Sequence, residues 1–219
     1  CDDSNATSGC LPETCTLAKS CKQLKDAYGD AAVDGLYTIA PLGAKVQVIC
    51  DMDADGGGYT FLKVAQPGPV GAKAAEVECA KYGMRLMVPR SKVHLAATVQ
   101  VAMSDVLGPI GGGIKASTEY LRIFGIYPKV AGQSCPGKPL NNVACPQWTA
   151  VGDVFWVTDQ TPADPYQNEP GIKTSLQCSL DYSWTNATLT GYESIIGSGG
   201  VGAQSPLFMC EVPDMLPAK

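Results

Sequence analysis

Ten cysteines constrain this chain more than any other feature: Cys1, Cys10, Cys15, Cys21, Cys50, Cys79, Cys135, Cys145, Cys178 and Cys210. No two have the C-x-x-C spacing of a zinc ribbon or a thioredoxin-type redox site. An even number of scattered cysteines fits a disulfide framework formed in an oxidising compartment. The ten-residue step from Cys135 to Cys145 suits a local loop staple. Two glycosylation sequons, at Asn5-Ala-Thr7 and Asn186-Ala-Thr188, agree with secretion. The expected location is secreted or cell-surface. The lack of an apolar leader before Cys1 is read as a mature form that begins after cleavage.

The 219 residues suit one large domain or two small ones and can bury a substantial core. Lys and Arg number 16 against 21 Asp and Glu, for a net charge of −5, and only Arg85, Arg90 and Arg122 are arginines. No basic patch can be built from so few, so neither nucleic-acid binding nor a polybasic membrane contact is expected. Mean hydropathy is +0.02, and no apolar run nears the roughly 18 residues of a membrane span, so no membrane insertion is expected. A single histidine, His94, removes His-based zinc sites and most general-base chemistry. With 24 glycines and 16 prolines, roughly 18 % of the chain against a usual ~12 %, a loop-rich fold is expected.

Residues 1–20 are small and polar, without a helical or strand period, and read as an irregular, cysteine-pinned segment. Residues 21–64 read as strands and tight turns, with β-prone runs at Gly35–Ile39 and Lys45–Cys50 around the turn-former Ala40-Pro-Leu-Gly43. The run Asp51-Met-Asp-Ala-Asp-Gly56 matches the first positions of an EF-hand loop. Position 12, however, is Leu62 where a bidentate Glu is needed, and the reading adopted is an acidic turn before a glycine bend. Ala72, Ala75, Cys79 and Tyr82 recur at helical spacing, with Gly83 as a stop, and Met84–Val88 reads as a short strand ended by Pro89. A second helix starts at Ser91 as N-cap, with Val93, Ala97, Val101 and Leu107 along an apolar stripe and His94 beside it in a structural or solvated position. Beyond Gly113, strands are expected within Tyr120–Ile126, Val154–Val157, Leu176–Leu180 and Leu207–Cys210, joined by long loops at 134–146 and 158–171.

Four motifs occur in order early in the chain: Ser20-Cys-Lys-Gln-Leu-Lys25, Asp34-Gly-Leu-Tyr-Thr-Ile39, Val48-Ile-Cys-Asp-Met52 and Asp55-Gly-Gly-Gly-Tyr-Thr60. Over about 40 residues this resembles the opening of a fibrinogen-related domain, as also found in intelectins, with Tyr59 where that family has tryptophan. The resemblance implies a Cys21–Cys50 disulfide. The remainder of such a domain, with its ligand pocket and calcium loop, has no counterpart downstream, so its binding chemistry is not carried over.

A second set runs from Glu78-Cys-Ala-Lys-Tyr-Gly-Met-Arg-Leu-Met-Val-Pro-Arg-Ser91 through Phe155-Trp-Val-Thr-Asp-Gln-Thr-Pro162 and Tyr166-Gln-Asn-Glu-Pro170 to Pro206-Leu-Phe-Met-Cys-Glu211. In that order, over about residues 59–212, it is similar to a C-type lectin-like domain. The resemblance implies a Cys79–Cys210 bridge from the first helix of that domain to the last strand. Cys178 lacks the family's usual partner, leaving Cys135, Cys145 or an amino-terminal cysteine. The implied fold class is α+β: a C-type lectin-like fold of two helices, small antiparallel sheets and long disulfide-stapled loops, preceded by a short fibrinogen-like β unit. The expected division is a cysteine-rich segment at 1–20, a truncated fibrinogen-like β subdomain at 21–64, a C-type lectin-like domain at 65–213 and a tail at 214–219.

Lectins of this family hold calcium with carboxylates and side-chain amides, and calcium requires six to eight oxygens. The family's Glu-Pro-Asn stands here as Glu169-Pro-Gly171, and its Trp-Asn-Asp as Trp184-Thr-Asn186, each losing one ligand. The resemblance therefore leaves Glu169, Asp181 and Asn186 as candidate calcium ligands, with Asn168 as a further ligand-binding residue. The alternative for all four is loop fixing by Asx turns. Trp148, in a loop after Cys145-Pro146, is the better placed tryptophan for stacking on a sugar, although packing is the commoner role. The expected function is non-enzymatic, lectin-like recognition of a glycan or an extracellular protein through loops between residues 158 and 190. The alternative is an assembly subunit of an extracellular matrix, coat or filament, with self-association through this scaffold.

Overall fold

The computed structural model describes residues 6–104, 106, 119–121, 125, 179–185, 188–195 and 204–214. These form an α+β structure with eight strands and three α-helices among the described residues. Helix α1 spans Cys21–Tyr28, strand β1 Gly35–Ile39, β2 Val46–Asp51 and β3 Tyr59–Gly71. Helix α2 is Ala72–Ala80, β4 Arg85–Leu86 and α3 Lys92–Met103. Strands β5 (Glu119–Leu121), β6 (Ser179–Thr185), β7 (Thr188–Ile195) and β8 (Gln204–Glu211) complete the order.

Two antiparallel sheets result: a five-stranded one ordered β1-β2-β3-β8-β4 and a three-stranded one ordered β5-β6-β7. In the larger sheet the terminal strand β8 is interior, pairing with β3 (Leu62 opposite Cys210) and with β4 (Leu86 opposite Cys210). The boundary expected between residues 64 and 65 falls inside β3, and the segments on either side of it share this sheet and one hydrophobic core.

Both faces of the sheet are buried, and the two-residue strand period assigns side chains between them. One face carries Val48, Cys50, Leu62, Val64, Phe208 and Cys210, packed with Leu24 of α1 and Ala75 and Cys79 of α2. The other carries Tyr59, Phe61, Met209 and Glu211, and meets α3 through His94, which stacks on Tyr59 and Phe61. Two disulfides tie helices to the first face: Cys21–Cys50 from α1 to β2 and Cys79–Cys210 from α2 to β8, each with Cα atoms 5.5 Å apart. Both are the pairings that the two resemblances imply. Cys10 is disulfide-bonded as well. Cys135 and Cys145 lie outside the described residues.

Helix α1 corrects the reading of 21–64 as strands and turns. Its N-cap Ser20 accepts from Gln23 N, and Gln23 Oε1 accepts from Lys19 N at 2.8 Å, an arrangement close to a capping box. Cys21 and Leu24 are buried and Tyr28 packs against the same core, an i, i+3, i+7 helical spacing that the strand reading passed over. Helix α2 and the caps of α3 follow expectation, with Ser91 Oγ accepting from His94 N at 2.9 Å. On the stripe of α3, Ala97 and Val101 are buried as expected, whereas Val93 is 47 % exposed and His94 is completely buried.

The Asp55-Gly-Gly-Gly-Tyr59 motif is dictated by close approach. Gly57 has φ +79°, and a Cβ there would lie 1.7 Å from the Met52 carbonyl oxygen. At Gly58, φ +100°, a Cβ would lie 2.8 Å from Lys22 Cα of α1. Only glycine combines the left-handed backbone with that clearance.

Candidate functional site

The densest polar constellation among the described residues forms where β8, β4 and the start of α3 meet. Strand β8 delivers Glu211 to the α3 face, and register places Phe61 and Arg85 opposite it. Glu211 Oε1 accepts from Arg85 Nε at 3.0 Å and from the Val88 backbone N–H at 3.1 Å. Its Oε2 accepts from Arg90 Nη2 at 2.9 Å and lies 3.2 Å from His94 Nε2. One carboxylate, 1 % exposed, thus serves four donors from three parts of the chain.

The geometry specifies the His94 tautomer. Nδ1 faces the backbone N–H of Arg90 at 3.3 Å and therefore acts as acceptor, so the ring proton sits on Nε2 and is donated to Glu211 Oε2 at 3.2 Å, with the Arg90 Nη2 that shares this oxygen 3.3 Å from Nε2. The imidazole lies against Tyr59 with ring centroids 4.2 Å apart and planes 17° from parallel. The Arg90 guanidinium covers the same tyrosine at 5.3 Å, a cation–π contact. Two of its nitrogens, Nε and Nη1, are buried without a hydrogen-bond partner among the described residues.

Burial lowers the pKa of His94, and the neighbouring Arg90 and Arg85 cations add to this against the opposing pull of Glu211. Burial alone would raise Glu211, but Arg90, the His94 N–H and Arg85 outweigh it and hold the carboxyl down to about 2. The Tyr59 hydroxyl, buried and donating to Asp55 Oδ2 at 2.9 Å, is raised above its ordinary value. Neutral His94 and ionised Glu211 are therefore the working states near neutral pH.

The acidic turn at 51–56 lies beside this cluster. Asp51 Oδ1 accepts from the backbone N–H groups of Asp53 (3.1 Å) and Ala54 (2.8 Å), an Asx-type turn. Asp55 Oδ2 accepts from Tyr59 and from the Ser91 hydroxyl, so it joins the turn to the α3 N-cap. These oxygens serve turn and cap bonds. No group of three His, Cys, Asp or Glu side chains suited to a metal is found among the described residues.

Of the residues expected to bind ligand, Asp181 lies on β6 with its backbone opposite Glu193 of β7, and Trp184 of the same strand is opposite Glu119 of β5. Asn168, Glu169, Asn186 and Trp148 lie outside the described residues, as does the sequon residue Asn5. Sequence reasoning named the strings holding Arg85, Arg90 and Glu211 but not their convergence. The available signal was three of the chain's few charged residues set inside otherwise apolar, β-prone runs. No family model matches the chain, and neither a curated protein nor a solved structure matches it.

Among the described residues, the serine nearest to His94 in the chain, Ser91, receives the His94 backbone N–H on Oγ and donates to Asp55 as a helix cap. The bonds of the cluster fasten chain segments together. They clamp the 85–91 turn and the first turn of α3 to the last strand, and the same turn receives Gly125. The Gly125 N–H donates to Met87 O at 2.8 Å, while Met87 N donates to Met209 O at 2.9 Å. A Cβ on Gly125 would lie 2.6 Å from Val88 Cγ2, so that residue seats with no room to spare.

Proposed function

We propose that this chain is an extracellular, non-enzymatic recognition protein. In this reading a C-type lectin-like scaffold, preceded by a fibrinogen-like β unit, binds a glycan or a protein partner through the long loops between residues 158 and 190. The observation that carries the reading is the Cys79–Cys210 bridge, which joins the helix and terminal strand that the ordered motifs name. Disulfides at Cys21–Cys50 and Cys79–Cys210, and the lack of any helix among the described residues long and apolar enough to cross a membrane, are compatible with an extracellular setting.

Support for loop-borne binding is physical. A sheet buried on both faces and closed by two disulfides is stiff, and a stiff base lowers the entropic cost of ordering loops on a partner. Glu169, Asp181 and Asn186 are the proposed calcium ligands, with Asn168 and Trp148 contacting the sugar. Glycan-array binding with and without a chelator tests this. Binding lost on chelation supports the calcium route, and binding indifferent to chelator supports stacking on Trp148. A broad array without any signal removes the sugar claim; if light scattering then shows polymers that dissociate on reduction, the chain is an assembly subunit instead.

A further inference from the structure

We propose that the His94–Glu211 contact is an acid-operated latch that fastens the 85–91 turn and the first turn of α3 to β8. The inference does not depend on the proposed function. It starts from the tautomer. With Nδ1 accepting from Arg90 N–H and Nε2–H donating to Glu211, both ring nitrogens are satisfied only while the ring is neutral. A second proton on Nδ1 would point at the Arg90 N–H across 3.3 Å, two donors face to face. One of them must withdraw, and Arg90 lies in the turn that enters α3.

The surrounding charges resist protonation too. Facing His94 are Glu211 from β8, Arg85 from β4 and Arg90 from the turn, with Tyr59 from β3 stacked on the ring. Asp55 is tied up by Tyr59 and Ser91, and Asp214 beyond β8 acts on Arg90 electrostatically. Protonated His94 would be a third cation on a carboxylate that already serves two guanidinium groups. It would also sit in the first turn of α3, where the helix dipole disfavours positive charge. Burial acts in the same direction.

The linkage sign follows. A histidine whose folded pKa is lowered below 6.5 leaves the closed state fully stable above that value. As pH falls below 6.5, the opened state gains a proton that the closed state refuses. Opening then grows up to about tenfold per pH unit, or roughly 30-fold between about pH 7.5 and about pH 5. The parts released are those the cluster holds: the 85–91 turn, the first turn of α3, and the Met87–Gly125 contact. Helix α1 and strands β1–β2 are fastened elsewhere, by Cys21–Cys50.

Amide hydrogen exchange on the intact, oxidised chain tests the latch, with rates corrected for the intrinsic effect of pH. Peptides covering 86–95 are expected to lose protection progressively over that interval, by no more than roughly 30-fold, while 21–28 keeps its protection. His94→Gln, which retains an acceptor and a donor but does not titrate, is expected to be flat. Unchanged protection in the native chain, an equal loss in His94→Gln, or simultaneous loss at 21–28 overturns the proposal. Should the variant fail to fold, the native chain decides, because His94 is its sole histidine and gives one imidazole signal pair. An Nε2–H tautomer at neutral pH and an imidazole midpoint below 6.5, at the acid end of the interval over which protection is lost, are expected; an Nδ1–H tautomer, or a midpoint at or above 6.5, overturns it.

Discussion

Replacing Glu211 by Gln is the sharpest perturbation of this structure, because it removes one charge and almost no volume. The amide oxygen can still receive Arg85 Nε and the Val88 N–H on one side. The amide nitrogen must then face Arg90 Nη2 and His94 Nε2, donors 2.9 and 3.2 Å from the present Oε2. Flipping the amide moves the conflict to the other pair. Either way a buried guanidinium, Arg85 or Arg90, with side chains 7 % and 4 % exposed, loses its counter-charge. Breaking such a pair from one side costs about 3–5 kcal/mol. The pKa supplies a second route to the number. A carboxyl held at about 2 against an ordinary 4.5 stabilises the fold by about 3 kcal/mol at neutral pH. Since the folded value is the depressed one, that contribution is present above 4.5 and fades as pH falls toward about 2. Denaturant unfolding at neutral pH is expected to show the loss, with the melting temperature down by about 10 °C. The variant should also lose most of its acid sensitivity between 4.5 and 2. A loss below about 1 kcal/mol, the range of exposed pairs, with the native acid profile retained, would refute the reasoning, because it would mean that Glu211 is solvated.

Reducing the Cys79–Cys210 closure, by paired serine substitution, relaxes a loop of 131 residues; the chain-entropy argument puts the cost at roughly 5 kcal/mol, and peptide mapping of unreduced protein should first find these two residues joined. Gly57→Ala is expected to lose about 2–4 kcal/mol, combining a left-handed backbone with overlap on Met52 O. Gly56→Ala, with φ +88° and open space around it, is expected to lose only about 1 kcal/mol; equal losses in thermal melts would contradict the close-approach account. Ser91→Ala removes the cap on His94 N and the link to Asp55 and is expected to cost about 1–2 kcal/mol, read by the same melts.

The strand runs and caps were legible because they are local. The run Gly35–Ile39 is β1 as written, Ser91 caps α3, and Gly83 at φ +73° follows α2. Helix α1 was read as strand and turn although Cys21, Leu24 and Tyr28 stand at i, i+3, i+7 and Ser20 and Gln23 at capping-box spacing, because eight residues give barely two turns over which a period can repeat. On α3 only the first member of the stripe was misplaced, for a different reason. Sequence pattern ranks Val93 above His94 for burial, but a neutral imidazole with both nitrogens satisfied and a tyrosine against its face is an acceptable core side chain.

The sequence by itself determined the chemistry available: ten cysteines, too few arginines for a basic surface, one histidine, and glycines at 56–58 where the turn needs them. It also ordered the motifs whose cysteines do pair. Only the tertiary structure decided that Arg85, Arg90, His94 and Glu211 meet. Residues 85 and 211 are 126 positions apart, and no local preference encodes a contact at that separation. It arises because β8 inserts between β3 and β4, and the strand period then turns Cys210 to one face and Glu211 to the other.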